Sequence, residues 1–459
     1  PTYRGPPRPH QVSTPGTGLS ETAPVEFDGG AGLAHNSAPM SPDAESLDPA
    51  GAFRRWKWRV LLAFCAFYAT SYLGRFNFSL IQTAVIEDLG ITRADTGWIN
   101  SWMFWGFALG GTLYGRIAER IGYRVVLLYG AAGIGVFNFV ASYADSAQGL
   151  LVPWALAGFF GAATWAPGLG LIAQWWSRRE RGRAVGLASA SAGVAMVVVW
   201  LIAPWVAAEW GWRAAMRWPP MLISLMGMAI YLIARDRPGQ VGLPEYAESE
   251  AVSREAEAAS EESERGLAAY VHVMTNWRFV LACHLRGLDV LVRYGVVSWA
   301  PVYYAQAGGF GLKEMSLVTV AYPAGIMLGP LMGGYISDRL FGSNRSRVIM
   351  MAALLSGAAI AAIALSPADN APLASGLLFL TGFTLNMAPL PALAIDLVGR
   401  RLAGTGTGLL SVHGYIYGAV QAWLFGWLSM AASGGWVWVF GTIAAARLVS
   451  AAAVWRVRV

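Results

Sequence analysis

Residues 61–80 read LLAFCAFYATSYLGRFNFSL, and residues 288–308 read LDVLVRYGVVSWAPVYYAQAG. Each is an apolar run of membrane length with an arginine deep inside it, Arg75 in the first and Arg293 in the second. About 20 apolar residues cross the hydrocarbon of a bilayer, and a guanidinium at that depth costs roughly 2.5–3.5 kcal/mol on insertion scales. Such a residue faces an aqueous cavity rather than lipid. The two stretches therefore predict an all-α membrane protein with a central anion site.

The step from Arg75 to Arg293 recurs elsewhere along the chain to within a few positions. GRIAERIGYR at 115–124 places Glu119 and Arg120 where GGYISDRLFG at 333–342 places Asp338 and Arg339. RRERGRAVGL at 178–187 and GRRLAGTGTGL at 399–409 align Gly182 with Gly404. Agreement between unrelated landmarks marks an internal duplication, two homologous halves about an axis along the membrane normal. Arg75 and Arg293 are then expected to face each other across that axis.

Of the 459 residues, 56% are hydrophobic and only 13% charged, a balance foreign to soluble chains. Twelve spans are predicted, near 59–82, 97–118, 124–144, 149–176, 183–207, 214–234, 278–305, 315–337, 347–366, 372–397, 404–430 and 436–455. They divide into an N-terminal six-helix half at 53–234 and a C-terminal half at 276–459. Residues 1–52, rich in Pro, Gly, Ser and Ala, read as a disordered tail without a cleavable signal pattern. Residues 235–275 read as a linker whose EAVSREAEAASEESERG run could form an exposed, mixed-charge helix.

The net charge of +6 lies in alternate loops rather than in a nucleic-acid-binding patch. Arg54, Arg55, Lys57 and Arg59, then Arg116, Arg120 and Arg124, then Arg178, Arg179, Arg181 and Arg183 fall on one side, and Glu87, Asp88, Arg93, Asp95, Lys313 and Glu314 on the other. By the positive-inside rule both termini are cytoplasmic. Cys65 and Cys283 lie within spans and read as core residues. No nucleophile, metal-ligand or nucleotide-loop constellation appears, so neither an enzyme nor a cofactor is expected. A monomer in the lipid bilayer is expected.

Several motifs together resemble the major facilitator superfamily, and within it the organophosphate:phosphate antiporters. GRIAERIGYR looks like the superfamily's loop signature between helices two and three. FYATSYLGRFNFSL at 67–80, WWSRRERG at 175–182, RDRPGQVGLPEY at 235–246 and VRYGVVSWAPVYY at 292–304 are similar to the narrower family. The resemblance implies a major facilitator fold in a bacterial inner membrane. It assigns the substrate-anion arginines to Arg75 and Arg293, and site aromatics to Tyr68, Tyr72, Trp165 and Tyr415. Guanidinium forks suit a tetrahedral oxyanion, whose remaining hydrogen bonds tyrosine hydroxyls complete. The chain departs from the family at Gly111 and Ala192, where the relatives carry a lysine and a histidine, and at Phe76 and Ser298, where they carry a lysine and an aspartate.

His413, in LLSVHGYIYG, falls near the repeat-related place of the absent histidine and is expected beside Tyr415 in the cavity. Arg286, Asp289 and Arg293 are three and four residues apart and share a helix face, so Asp289 can neutralise Arg293 or carry a coupling proton. Asp396 reads as a gate or loop salt bridge, and Glu119, Arg120, Asp338 and Arg339 as clamps of one conformation. The leading expectation is a transporter of a small organic anion, a phosphate ester or phosphonate, exchanging with inorganic phosphate. The alternatives are a proton- or sodium-coupled symporter of carboxylates or sulfonates, and an organophosphate sensor on the same fold.

Overall fold

The computed structural model describes residues 49–244, 274–341, 345–385, 403–432 and 434–456. The expected tail up to residue 48, the mixed-charge run of the linker and Asp396 lie outside the described residues. Among those described, all regular structure is helical.

The first span is not one helix. α1 (Pro49–Ser71) ends in a single 3₁₀ turn at Tyr72–Gly74, and α2 (Asn77–Leu89) resumes beyond Arg75 and Phe76. A break within a bilayer frees backbone groups that protein must satisfy. Asn138 does so, donating from Nδ2 to the carbonyls of Gly74 and Ile134, while its Oδ1 accepts from Asn77. An added Cβ on Gly74 would lie 2.4 Å from Ile134 Cγ2, so the turn seats directly on the third span. α1 also starts earlier than the apolar run, because Phe53 and Trp56 pack on Trp175.

The second and third spans are α3 (Arg93–Ile121) and α4 (Tyr123–Ala141). A Thr92–Asp95 capping box starts α3, and Gly122 at φ 101° makes the turn between the two. The fourth span is broken into α5 (Ala147–Gly161) and α6 (Trp165–Trp175), followed by α7 (Arg178–Trp210) and α8 (Trp212–Ile233). The first residues of the expected linker are folded against this half: Asp236 accepts from the Arg124 backbone N–H and pairs with its side chain, and Trp175 donates to the Arg235 carbonyl.

In the second half, α9 (Trp277–Gln306), α10 (Leu312–Thr319) with α11 (Ala321–Phe341), α12 (Arg345–Leu365), α13 (Ala371–Leu385), α14 (Ala403–Leu428) and α15 (Gly435–Arg456) follow spans seven to twelve. Packing repeats between the halves: α4 on α8 matches α12 on α15, and α3 on α5 matches α11 on α13. Glycines allow the second pair of approaches. Built Cβ atoms on Gly106 and Gly110 would lie 2.2 and 2.4 Å from the carbonyls of Ala155 and Phe159, and those on Gly325 and Gly329 would lie 2.3 and 2.4 Å from Phe379 and Phe383. The step from Gly106 to Gly325 is the same as that from Gly110 to Gly329. The outward faces carry exposed Trp98, Trp102, Leu109, Leu225 and Trp427, an apolar surface that lipid covers.

The halves meet through α3 against α14 and α7 against α10. Gly97 and Gly426 permit the first, a built Cβ on Gly97 falling 2.5 Å from the Ala422 carbonyl. At that same end, opposite the basic loops, Arg93 donates to Gln306 at 3.0 Å and Lys313 pairs with Glu209. Nearby, the Trp212 indole and the Arg213 guanidinium hold the Asp88 carboxyl below the ordinary carboxylate range.

Candidate anion-binding site

The broken first span puts Arg75 at the centre of the bundle. Its Nη2 donates to the Tyr294 hydroxyl at 2.6 Å, and its guanidinium carbon lies 4.1 Å from the centre of the Phe107 ring. Its Nε is buried without a hydrogen-bond partner. Among the described residues no carboxylate pairs with it.

Tyr294, rather than Arg293, is the counterpart of Arg75 in the repeat. The step from Arg75 to Tyr294 equals the step from Gly106 to Gly325 and from Gly110 to Gly329. Residues beside a twofold axis touch their own mates. Ser79 and Ser298, related by the same step, sit 3.4 Å from each other in the same way. One residue is about 100° of helix rotation, so Arg293 leaves its helix on a different face from Tyr294.

Arg293 belongs to a second group. Asp289, 4% exposed, accepts from Arg286 Nη1 at 2.9 Å, lies 3.9 Å from Arg293 Nη2 and 3.6 Å from Arg447 Nη1. Arg447, on α15, is itself only 5% exposed, and its Nε donates to Ser356 Oγ on α12 at 2.7 Å. Asp289 thus ties α9 to α15. The sequence pattern identified the Arg286–Asp289–Arg293 face but missed Arg447; a lone arginine in the apolar run IAAARLVSAAAV was the available signal. Around the centre, Arg286, Arg293 and Arg447 share the single carboxylate of Asp289 among the described residues, and Arg75 adds a fourth cation, a net positive charge that suits an anion.

Three of the expected aromatics, Trp165, Tyr68 and Tyr72, form a run of rings that Phe76 and Tyr294 continue. Trp165 lies 4.8 Å from Tyr68 between ring centres, Tyr68 5.5 Å from Tyr72, Tyr72 5.2 Å from Phe76, and Phe76 stacks on Tyr294 at 6.0 Å. Phe107, which Arg75 covers, lies 4.8 Å from Tyr415. Tyr72, Arg75, Trp165, Arg293, Tyr294 and Tyr415 stay partly exposed inside the bundle, so they border open space. Gly111 faces Tyr415, whose Cε2 would be 4.0 Å from an added Cβ.

The structure gives His413 other company. Two residues from Tyr415, it lies about 200° around the helix. Its Nδ1 donates to the Leu409 carbonyl at 2.8 Å, and its ring stands edge-on to His284, 5.7 Å away. Glu119 and Arg120 are exposed in the last turn of α3, and Arg339 is exposed near the end of α11. The Asp338 side chain lies outside the described residues.

Residues 60–422 match the family profile described as Major Facilitator Superfamily. The chain is 24% identical to the membrane sensor protein UhpC of Salmonella typhimurium, over 84% of this chain and 88% of that one. It is 25% identical to the glycerol-3-phosphate transporter of Haemophilus influenzae, over 83% and 86%. It is also 25% identical to a probable hexose phosphate transport protein of Chlamydia pneumoniae, over 81% and 84%. In fold it is similar to the crystal structure of a bacterial homologue to the human lysosomal transporter Spinster, inward-facing and unoccupied. That match has a TM-score of 0.72 and 14% identity, and covers 88% of this chain and 97% of that one. The two six-helix halves, the profile match over most of the chain and the curated relatives agree: this integral membrane protein belongs to the Major Facilitator Superfamily.

Proposed function

We propose that the protein is a secondary transporter that carries a small organic anion, of phosphate-ester or phosphonate type, by alternating access around Arg75 and Arg293. The observation that carries this reading is Arg75: a guanidinium at the bundle centre, with a buried unmet donor and no carboxylate partner among the described residues. An intramembrane charge left without a counter-ion is costly, and an oxyanion supplies both the missing charge and an acceptor for the buried Nε. Similarity to glycerol-3-phosphate and hexose phosphate transporters supports a phosphorylated substrate.

Asp289 acts in this reading as a counter-ion anchored by Arg286 and Arg447, which limits its hold on Arg293. The basic loops support cytoplasmic termini in a bacterial inner membrane. With that orientation, Arg93–Gln306 and Lys313–Glu209 tie the halves on the outer side, and the site opens inward. Residues 53–234 and 276–459 are the two rocking units, with Glu119, Arg120, Asp338, Arg339 and Asp396 forming contacts of the opposite state.

The test is reconstitution in liposomes with a panel of labelled anions, driven in turn by internal phosphate, a pH gradient and a sodium gradient. Phosphate-driven uptake of an organophosphate supports the reading; proton- or sodium-driven uptake alone moves it to symport. Similarity to a membrane sensor protein favours one further reading, a receptor for the same anion. Tight binding without flux under any gradient identifies it.

A further inference from the structure

We infer that the anion bound between Arg75 and Arg293 carries a flat apolar body, as an aryl phosphonate or aryl phosphate ester does, rather than a polyol chain. The inference rests on the anion reading above and concerns the rest of the molecule. The wall beside the two arginines is made of ring faces and edges, running from Trp165 through Tyr68, Tyr72 and Phe76 to Tyr294. Trp165, Tyr72 and Tyr294 are the partly exposed members, so the open space next to the cations is bounded by π surface. Aryl groups pack on such surfaces edge-to-face or offset.

A polyol needs a polar partner for each hydroxyl it buries, and a site built to read hydroxyls holds those partners ready. Here the described carboxamides of the central spans, Asn77, Gln82, Asn100, Asn138 and Gln421, are at most 1% exposed and so do not border the open space. Asn77 and Asn138 bond each other across the break in span one, Asn100 accepts from the Trp154 indole, and Gln421 donates to the Gly418 carbonyl. Tyr294 already accepts from Arg75, and the Tyr68 and Tyr72 hydroxyls face each other at 3.5 Å. What the described residues present to the space is guanidinium and ring, with the Tyr72, Tyr294 and Tyr415 hydroxyls at the ring edges, complementary to an oxyanion attached to an aromatic or similarly flat group.

The experiment is equilibrium binding to the full-length protein in lipid nanodiscs, comparing phenylphosphonate, glycerol 3-phosphate and inorganic phosphate. Phenylphosphonate should bind at least tenfold more tightly than glycerol 3-phosphate. Trp165→Leu should shrink that ratio severalfold and Trp165→Phe should keep it, which a general loss of folding would not do. Glycerol 3-phosphate binding as tightly as phenylphosphonate, with both lost in Arg75→Lys, overturns the apolar body and leaves the anion site standing. Binding of neither anion, or binding that survives both Arg75→Lys and Arg293→Lys, overturns the anion site and the inference with it.

Discussion

Replacing Asp289 by asparagine removes the one carboxylate among the described residues that faces Arg286, Arg293 and Arg447. The cost is set by the partner least able to reach water. Arg286 and Arg293 have side chains 31% and 23% exposed, whereas that of Arg447 is 6% exposed. Solvent screens the first two; Arg447 is left as a buried charge with only Ser356 to bond among the described residues. Breaking a buried pair in this way destabilises by about 3–5 kcal/mol. Arg447→Met alone should cost less, roughly 1–3 kcal/mol, because Asp289 keeps Arg286 at 2.9 Å. In Asp289→Asn/Arg447→Met the stranded charge is gone, so the double variant should be more stable than the sum of the singles predicts, by at least about 1.5 kcal/mol. Reversible unfolding in mixed micelles, followed by tryptophan fluorescence, measures all four corners of the cycle. Anion affinity should hold or rise in Asp289→Asn, since a competitor for Arg293 has been removed. Single variants within about 0.5 kcal/mol of the parent, or strict additivity, would refute the anchoring of Asp289 by Arg447.

Tyr294→Phe removes the hydroxyl that positions Arg75; a hydrogen bond to a charged group is worth about 1.5–3 kcal/mol, so anion affinity should fall roughly tenfold or more in the same nanodisc binding assay while the fold is retained. Glu209→Gln and Lys313→Gln should each shift the equilibrium toward opening at the end opposite the basic loops, read as faster labelling of a cysteine placed there. Gly106→Ala and Gly325→Ala should each lower stability by about 1–3 kcal/mol through overpacking, and the similarity of the two losses tests the repeat. Asp88 is held below its ordinary pKa, so its contribution is present above about pH 4 and fades as pH falls through its lower folded-state value; an acid titration of stability should lose that step in Asp88→Asn.

The twelve spans, the duplication and the depth of Arg75 and Arg293 were legible because bilayer thickness and charge burial constrain sequence strongly. The geometry of the site was less so. Nothing in SYLGRFN announces a helix break, since the partner that satisfies it, Asn138, lies in another span. The repeat offset was readable to within a few residues, yet one residue of slip on a helix is about 100°, enough to exchange Arg293 for Tyr294 as the mate of Arg75. His413 was placed by the repeat alone, and its helix turns it away from Tyr415 toward His284. Arg447 has no charged counterpart at the repeat-related place in the first half, where Met228 stands, so the search by symmetry passed over it.

The most direct test of the anion site is uptake into proteoliposomes by Arg75→Lys and Arg293→Lys, using the best organophosphate found for the unaltered protein. A lysine keeps the charge but loses the planar fork. Both variants should insert and fold as the parent does while losing most transport, and saturable uptake near the parental rate by either one would contradict the two-arginine site.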